Sequence, residues 1–219
     1  MIALVRYITA VVLHSQRFLP PLMLFAGVAI MFIAGTGTSP VVGTYGAVAG
    51  VLFACSTWFT LVLVAAEDPV RREITAVNAG GFRRVLIATV LVALAGCLLV
   101  SGVLLVSAPL FAAHPIGAAE LAAGFLAQFT AASTGIAAGL VSSRLVLPRA
   151  GHSVLAALAL VAIFALGTGL PPVNPTIRLL ANTSDALDAL AGTAAYAGVA
   201  LLLLIGGTVV AHLVATRRD

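Results

Sequence analysis

Residues 85–107 read VLIATVLVALAGCLLVSGVLLVS, 23 positions without one charged side chain. An apolar helix needs about 20 residues to cross a hydrocarbon core about 30 Å thick, so this run predicts a membrane span. Five further runs of the same character lie on either side of it. The expected spans are 19–35, 43–65, 85–107, 118–141, 153–170 and 193–214. An open sheet is excluded because its unpaired backbone groups find no partner in lipid, and the runs are too long and too rich in Ala and Leu for barrel strands. The expected fold is therefore an all-α integral membrane protein of six transmembrane helices, a single domain over residues 1–219.

Proline placement supports the division, since a mid-helix proline removes a backbone hydrogen bond and kinks the helix. Pro40, Pro69, Pro109, Pro115, Pro148, Pro171, Pro172 and Pro175 fall between the expected spans, while Pro20 and Pro21 open the first. Composition agrees: 62% of the 219 residues are hydrophobic and 8% charged, against roughly 25% charged in soluble domains. That excludes a soluble enzyme, a disordered tail and a nucleic-acid binder.

All eleven basic residues are Arg. Without Lys, this polypeptide supplies neither the phosphate-cradling lysine of a Walker loop nor a Schiff-base amine. Cys55 and Cys97 stand in apolar runs and read as small buried hydrophobes rather than a disulfide framework or metal cage. Arg placement sets an orientation, because cytoplasmic flanks carry the excess of positive charge. With the N-terminus inside, Arg6, Arg17, Arg71, Arg72, Arg83, Arg84, Arg144, Arg149, Arg217 and Arg218 are cytoplasmic and only Arg178 is outside. Both termini are expected in the cytoplasm. A cleaved signal peptide fits the first 35 residues poorly, for lack of a small-residue cleavage site ahead of a soluble domain.

Three segments outside the spans carry their own structure. In residues 2–19, Arg6, Thr9, Gln16 and Arg17 share one arc of a helical wheel and Leu4, Val5, Ile8, Val11 and Val12 the other, the pattern of an interfacial helix or of a simple flanking anchor. In the loop between spans two and three, Asp68 suits an N-cap, Pro69 the first helical position and Gly80 the residue past a helix end, predicting a short helix over 69–79. The loop mixes three acids with four Arg, which favours a protein partner over bare anionic lipid. Between spans five and six, residues 172–191 alternate Ile177, Leu179, Leu180, Leu187 and Leu190 with Asn182, Thr183, Ser184, Asp185 and Asp188. Two short amphipathic helices in the outer leaflet fit this pattern, with Ser184 or Asp185 capping the second; a partly ordered loop is the alternative.

Within the spans, ionisable groups are nearly absent. Glu120 sits in the first turn of the fourth span, where the helix dipole favours a carboxylate. Gly124, Gln128, Ala131, Gly135 and Gly139 follow on the same face. Small residues let helices approach, so this face reads as a packing seam, with a substrate path as the alternative. Gly46 and Gly50 mark a second seam. His14, His114, His152 and His212 are scattered near interfaces without ligand spacing. No nucleophile elbow, zinc-protease helix or intramembrane Asp pair is present, so the chain is not expected to be an enzyme or to bind a cofactor itself. Nor does it carry the mid-membrane carboxylates or inverted repeat of an ion-driven carrier.

Leu4-Val-Arg-Tyr7, Ser15-Gln-Arg-Phe-Leu-Pro-Pro21, Trp58 near the end of span two and Ala66-Glu-Asp-Pro69 together make residues 4 to 85 resemble the small six-span permease subunits of bacterial ABC-2 type transporters. The resemblance implies a connecting helix at 2–19 and a coupling helix at 69–79 that docks on a separate ATPase through Pro69, Val70, Arg71, Arg72, Glu73, Ile74 and Thr75. It also implies short re-entrant helices at 172–191. Where many members carry a Gly-Thr-Glu-like stretch, this chain has Arg72-Glu-Ile-Thr75. ATP and Mg would then be held by two ATPase copies, and the substrate path would lie between this chain and a second permease, itself or a paralogue. The implied role is export of a drug, a peptide or lipid-linked material across the bacterial cytoplasmic membrane. A vitamin-binding subunit of an energy-coupling importer and a non-transporting scaffold or immunity protein are the other readings.

Overall fold

The computed structural model describes residues 1–35, 41–111, 116–147, 149–167, 172–183 and 185–217, without the side chains of Pro69, Val70 and Ala150. Pro40, His114, Pro115, Pro148, Pro171, Ser184 and Arg218, all invoked above, lie outside the described residues, as do those three side chains. Among the described residues the chain is helical and contains no strand. In order the helices are α1 (Ile2–Ser15), α2 (Leu19–Ala34), α3 (Val41–Ala66), α4 (Pro69–Ala79), α5 (Phe82–Ser107), α6 (Ala118–Ser142), α7 (Ala150–Leu166), α8 (Val173–Asn182) and α9 (Ala186–Thr216). A single 3-10 turn, Ala108–Leu110, extends α5.

Four of these, α3, α5, α6 and α9, are long and apolar enough to cross a membrane. They mark a multi-pass membrane protein. The runs expected as spans one and five are shorter: α2 has 16 residues and α7 has 17, about 24–26 Å at 1.5 Å per residue. The first passes the same test only when joined to α1, from which it bends by 82°. The bend sits at Gln16, whose left-handed φ of 52° ends α1, and Pro20 and Pro21 then restart the chain in the first turn of α2.

Helix α6 occupies the centre, and it is built almost wholly of Ala, Gly, Ser and Thr from Ala127 to Gly139. In lipid, where no hydrophobic force separates helix from solvent, small residues gain close van der Waals contact by letting backbones approach. Every residue from Ala131 to Leu140 is buried, between α3 on one side and α9 on the other. On the α9 side a Cβ at Gly207 would lie 3.2 Å from Ala137. Around this centre, α2, α5, α7 and α9 turn large aliphatics outward, among them Met31, Leu99, Leu155 and Leu202, each at least 66% exposed. Such a surface is untenable in water and ordinary in a bilayer.

Among the described residues, the segment between α7 and α9 holds one short helix, α8, and not two. The residues expected to form a second short helix belong to α9, which begins at Ala186 rather than near 193. Asp185 provides the cap, its side chain accepting from the Leu187 N–H at 2.8 Å. Helix α8 lies against α3, where Gly46 and Gly50 accommodate Leu180 and Ile177.

Candidate functional site

Helix α4 forms where its signals stand. Asp68 is extended ahead of Pro69 at the first turn, and Gly80 at φ 78° reverses the chain, its N–H and that of Gly81 closing on the carbonyls of Val77 and Ala76. Arg84 completes the end by donating to the Ala79 carbonyl at 3.0 Å.

The two faces of α4 differ. Inward, the Arg72 guanidinium donates to the carbonyls of Val64 and Glu67, groups at the end of α3 that have no helical donor. Burial lowers the Arg72 pKa and the Glu67 carboxylate raises it in opposition. The Thr75 hydroxyl lies 2.8 Å from Glu67 Oε1, and the Tyr7 hydroxyl donates to the same oxygen at 3.2 Å. One carboxylate thus joins α1, α4 and the end of α3. Outward, Arg71, Glu73, Ile74, Val77 and Asn78 are exposed, Ile74 to 57% and Val77 to 81%. Of the residues expected on a docking surface, Arg71, Glu73 and Ile74 therefore face out, while Arg72 and Thr75 serve the attachment of α4 to α3.

Between α1 and α4 lies an open groove of about 790 Å3 whose walls include Met1, Leu4, Tyr7, Ile74, Asn78 and Arg84. Arg6 is exposed on α1, as the wheel predicts, while Gln16 and Arg17 are exposed in the bend beyond the end of α1, where the wheel no longer applies. The opposite face of α1 packs through Ile8 and Val12 onto the protein core, chiefly α5, rather than being left for lipid.

The glycines of α6 meet α3. A Cβ at Gly124 would come within 2.6 Å of the Tyr45 ring, at Gly135 within 2.5 Å of the Phe53 carbonyl, and at Gly139 within 2.6 Å of Thr60. Gln128, 2% exposed, donates from Nε2 to the Tyr45 carbonyl at 3.3 Å. Its Oε1 and the Tyr45 hydroxyl are buried without a partner among the described residues. Glu120 accepts from the Gly117 N–H at 2.9 Å and closes the start of α6. Ser56, Thr57 and Thr60 spend their hydroxyls on carbonyls three or four residues back in α3. Gly124, Gln128, Gly135 and Gly139 thus meet α3 along one closely packed seam, while Glu120 serves the helix start.

Sequence reading missed Glu67, Tyr7 and Val77. The 3.6-residue period of α4 places Val77 and Asn78 beside Ile74, a signal available in the sequence. Nothing in the sequence pairs Tyr7 with Glu67, 60 positions apart. No family model, curated protein or solved structure matches the chain.

Proposed function

We propose that this chain is the membrane-spanning permease subunit of an ATP-driven exporter, coupled through α4 and the α1–α4 groove to a separate ATPase. The observation that carries the reading is α4 itself. A short helix anchored on one face by Arg72 and Thr75 presents two bare aliphatics, Ile74 and Val77, between Arg71, Glu73 and Asn78. An apolar centre with a charged rim is the pattern of a protein-binding surface. The groove beside it has room for an element of the partner.

In this reading α2 and α7 complete six spans with α3, α5, α6 and α9, the bilayer thinning locally to match their length. Both termini and α4 are cytoplasmic, α1 lies at the inner interface with Arg6, Gln16 and Arg17 toward headgroups, and α8 lies near the outer surface. Two permeases, two copies of this chain or a pair of paralogues, enclose the substrate path, and two ATPases bind ATP and Mg. The α3–α6 seam is the rigid centre that each permease moves as a unit. The reading is supported by the sequence motifs at residues 4 to 85, the absence of Lys and this helix geometry.

Co-purification tests it. Tagged protein, expressed with the ATPase encoded beside it and extracted in mild detergent, should retain that ATPase in equal amount. Recovery of folded permease alone, with ATP present or absent, would remove the exporter reading.

A further inference from the structure

On the side of the molecule formed by α5 and α9, a groove of about 300 Å3 runs between the two helices. Its walls are Leu86, Ile87, Val90 and Leu91 of α5 and Leu204, Ile205, Thr208 and Val209 of α9, closed at one end by Arg83 and His212. The His212 ring stacks on Phe82, 6.1 Å between centroids, which fixes the polar end of α9 against the start of α5. From Arg83 to Leu91 the groove follows eight residues of helix, about 12 Å. It is apolar along this length and cationic at one end only.

The two arginines at the start of α5 are used differently. Arg84 is committed to the Ala79 carbonyl at the end of α4. Arg83 is exposed and makes no hydrogen bond or ion pair among the described residues. His212 Nδ1 is buried and also unpartnered there. Among the described residues, no carboxylate lines the groove. Such a site asks for an amphiphile with an anionic head and an aliphatic tail. At the end of a membrane span, Arg83 stands at headgroup depth with its stem along the apolar wall.

We propose that the α5–α9 groove binds one anionic phospholipid, its phosphate on Arg83 and one acyl chain along Leu86, Val90, Leu204 and Ile205. This site is separate from α4, and it holds whether or not an ATPase docks there. The bound lipid fills a gap between two helices that otherwise meet loosely, and so joins α9 to α5 at that end.

Native mass spectrometry of the full chain in detergent tests the proposal, with 1-palmitoyl-2-oleoyl phosphatidylglycerol or the matching phosphatidylcholine as probe. Wild-type protein should keep one phosphatidylglycerol at a collision energy that strips phosphatidylcholine. Arg83→Gln should weaken that retention about fivefold to tenfold, Arg83→Lys should restore most of it, and Arg144→Gln, at another exposed arginine, should leave it unchanged. Ile87→Trp, which fills the groove without touching the charge, should displace the lipid and keeps the test valid if Arg83→Gln fails to fold. Equal retention of the two lipids, or equal loss in Arg83→Gln and Arg144→Gln, would reduce the groove to ordinary lipid contact and overturn the proposal. A change of oligomeric mass in Ile87→Trp, with lipid retention intact, would assign the groove to a second protein helix instead.

Discussion

The Thr75 hydroxyl on α4 lies 2.8 Å from the Glu67 carboxylate at the end of α3, and Tyr7 of α1 reaches the same oxygen. Two peripheral helices, α1 and α4, thereby meet the end of central α3 at one acceptor, beside the Arg72 guanidinium that holds the last carbonyls of α3. In the proposed reading this joint would carry a displacement of α4 to α1 and α3 together. Glu67→Ala should free α4 and α1 without disturbing α6. Hydrogen exchange is expected to accelerate in residues 69–79 and 2–15 and stay unchanged in 123–140; uniform acceleration would mean that Glu67 stabilises the whole bundle.

Arg72 and Ile74 separate attachment from docking. Arg72→Ala strands the carbonyls of Val64 and Glu67 and should cost about 1–3 kcal/mol, seen as a lower melting midpoint. Ile74→Asp or Val77→Asp changes an exposed side chain and should leave the midpoint within about 0.5 kcal/mol of wild type. Either exposed substitution should nevertheless abolish ATPase co-purification. Retention of the ATPase by the Ile74→Asp, Val77→Asp double variant would take docking away from α4.

The α3–α6 seam sets a sharp steric test. At Gly135 an added Cβ meets the Ser56 hydroxyl at 1.9 Å and the Phe53 carbonyl at 2.5 Å. Ser56 can rotate aside, but the carbonyl belongs to the α3 backbone and cannot. Gly135→Ala should therefore cost about 3 kcal/mol or more, and adding Ser56→Ala should rescue only part of the loss. Gly102→Ala, where nothing lies within 4 Å, should be neutral or stabilise by about 0.5–1 kcal/mol. Equal midpoints for the two glycine variants would contradict this close approach.

The sequence made some of this legible and left some out of reach. The four long spans followed from uninterrupted apolar length, and α4 from Asp68, Pro69 and Gly80, because both signals are local. The small-residue faces of α3 and α6 were legible as seams, though nothing local told which helix each would meet: Gly135 meets α3, while Gly46 meets α8. Asp185 was legible as a helix cap, but nothing local told that the helix it opens runs on through Gly192 into the last span instead of ending as a short helix. The inward turn of Arg72 depends on carbonyls eight and five residues away, in a different helix and the joint between them. The resemblance alone placed it on the docking surface.

Buried polar groups in the seam give a further prediction. The Tyr45 hydroxyl is buried with no partner among the described residues, so its removal should lose no hydrogen bond and avoid a desolvation cost. Tyr45→Phe should raise the melting midpoint, equivalent to about 1 kcal/mol. Gln128→Met exchanges one hydrogen bond to the Tyr45 carbonyl for relief of an unpaired Oε1, and should stay within about 1 kcal/mol of wild type. If Gln128 instead faced a substrate path, Gln128→Met would leave stability alone and change transport. Unaltered stability and transport together are the outcome expected of a packing residue.

Orientation is open to a direct chemical test, because both native thiols, Cys55 and Cys97, are buried and give little background. Asn78 on α4 and Asn182 at the end of α8 are both exposed, so a cysteine at either place is accessible wherever water reaches it. In the proposed orientation, with ten arginines inside against one outside, Asn78 faces the cytoplasm and Asn182 the exterior. A membrane-impermeant maleimide added to intact cells should label Asn182→Cys and spare Asn78→Cys until the membrane is opened. The reverse pattern would invert the topology and place α4 where no cytoplasmic ATPase can reach it. Labelling of both in intact cells would require an even number of crossings between α4 and α8, which the shortness of α7 allows: 17 residues span about 26 Å, short of a full hydrocarbon core, and a helix that entered and left by the same face would leave only α5 and α6 to cross.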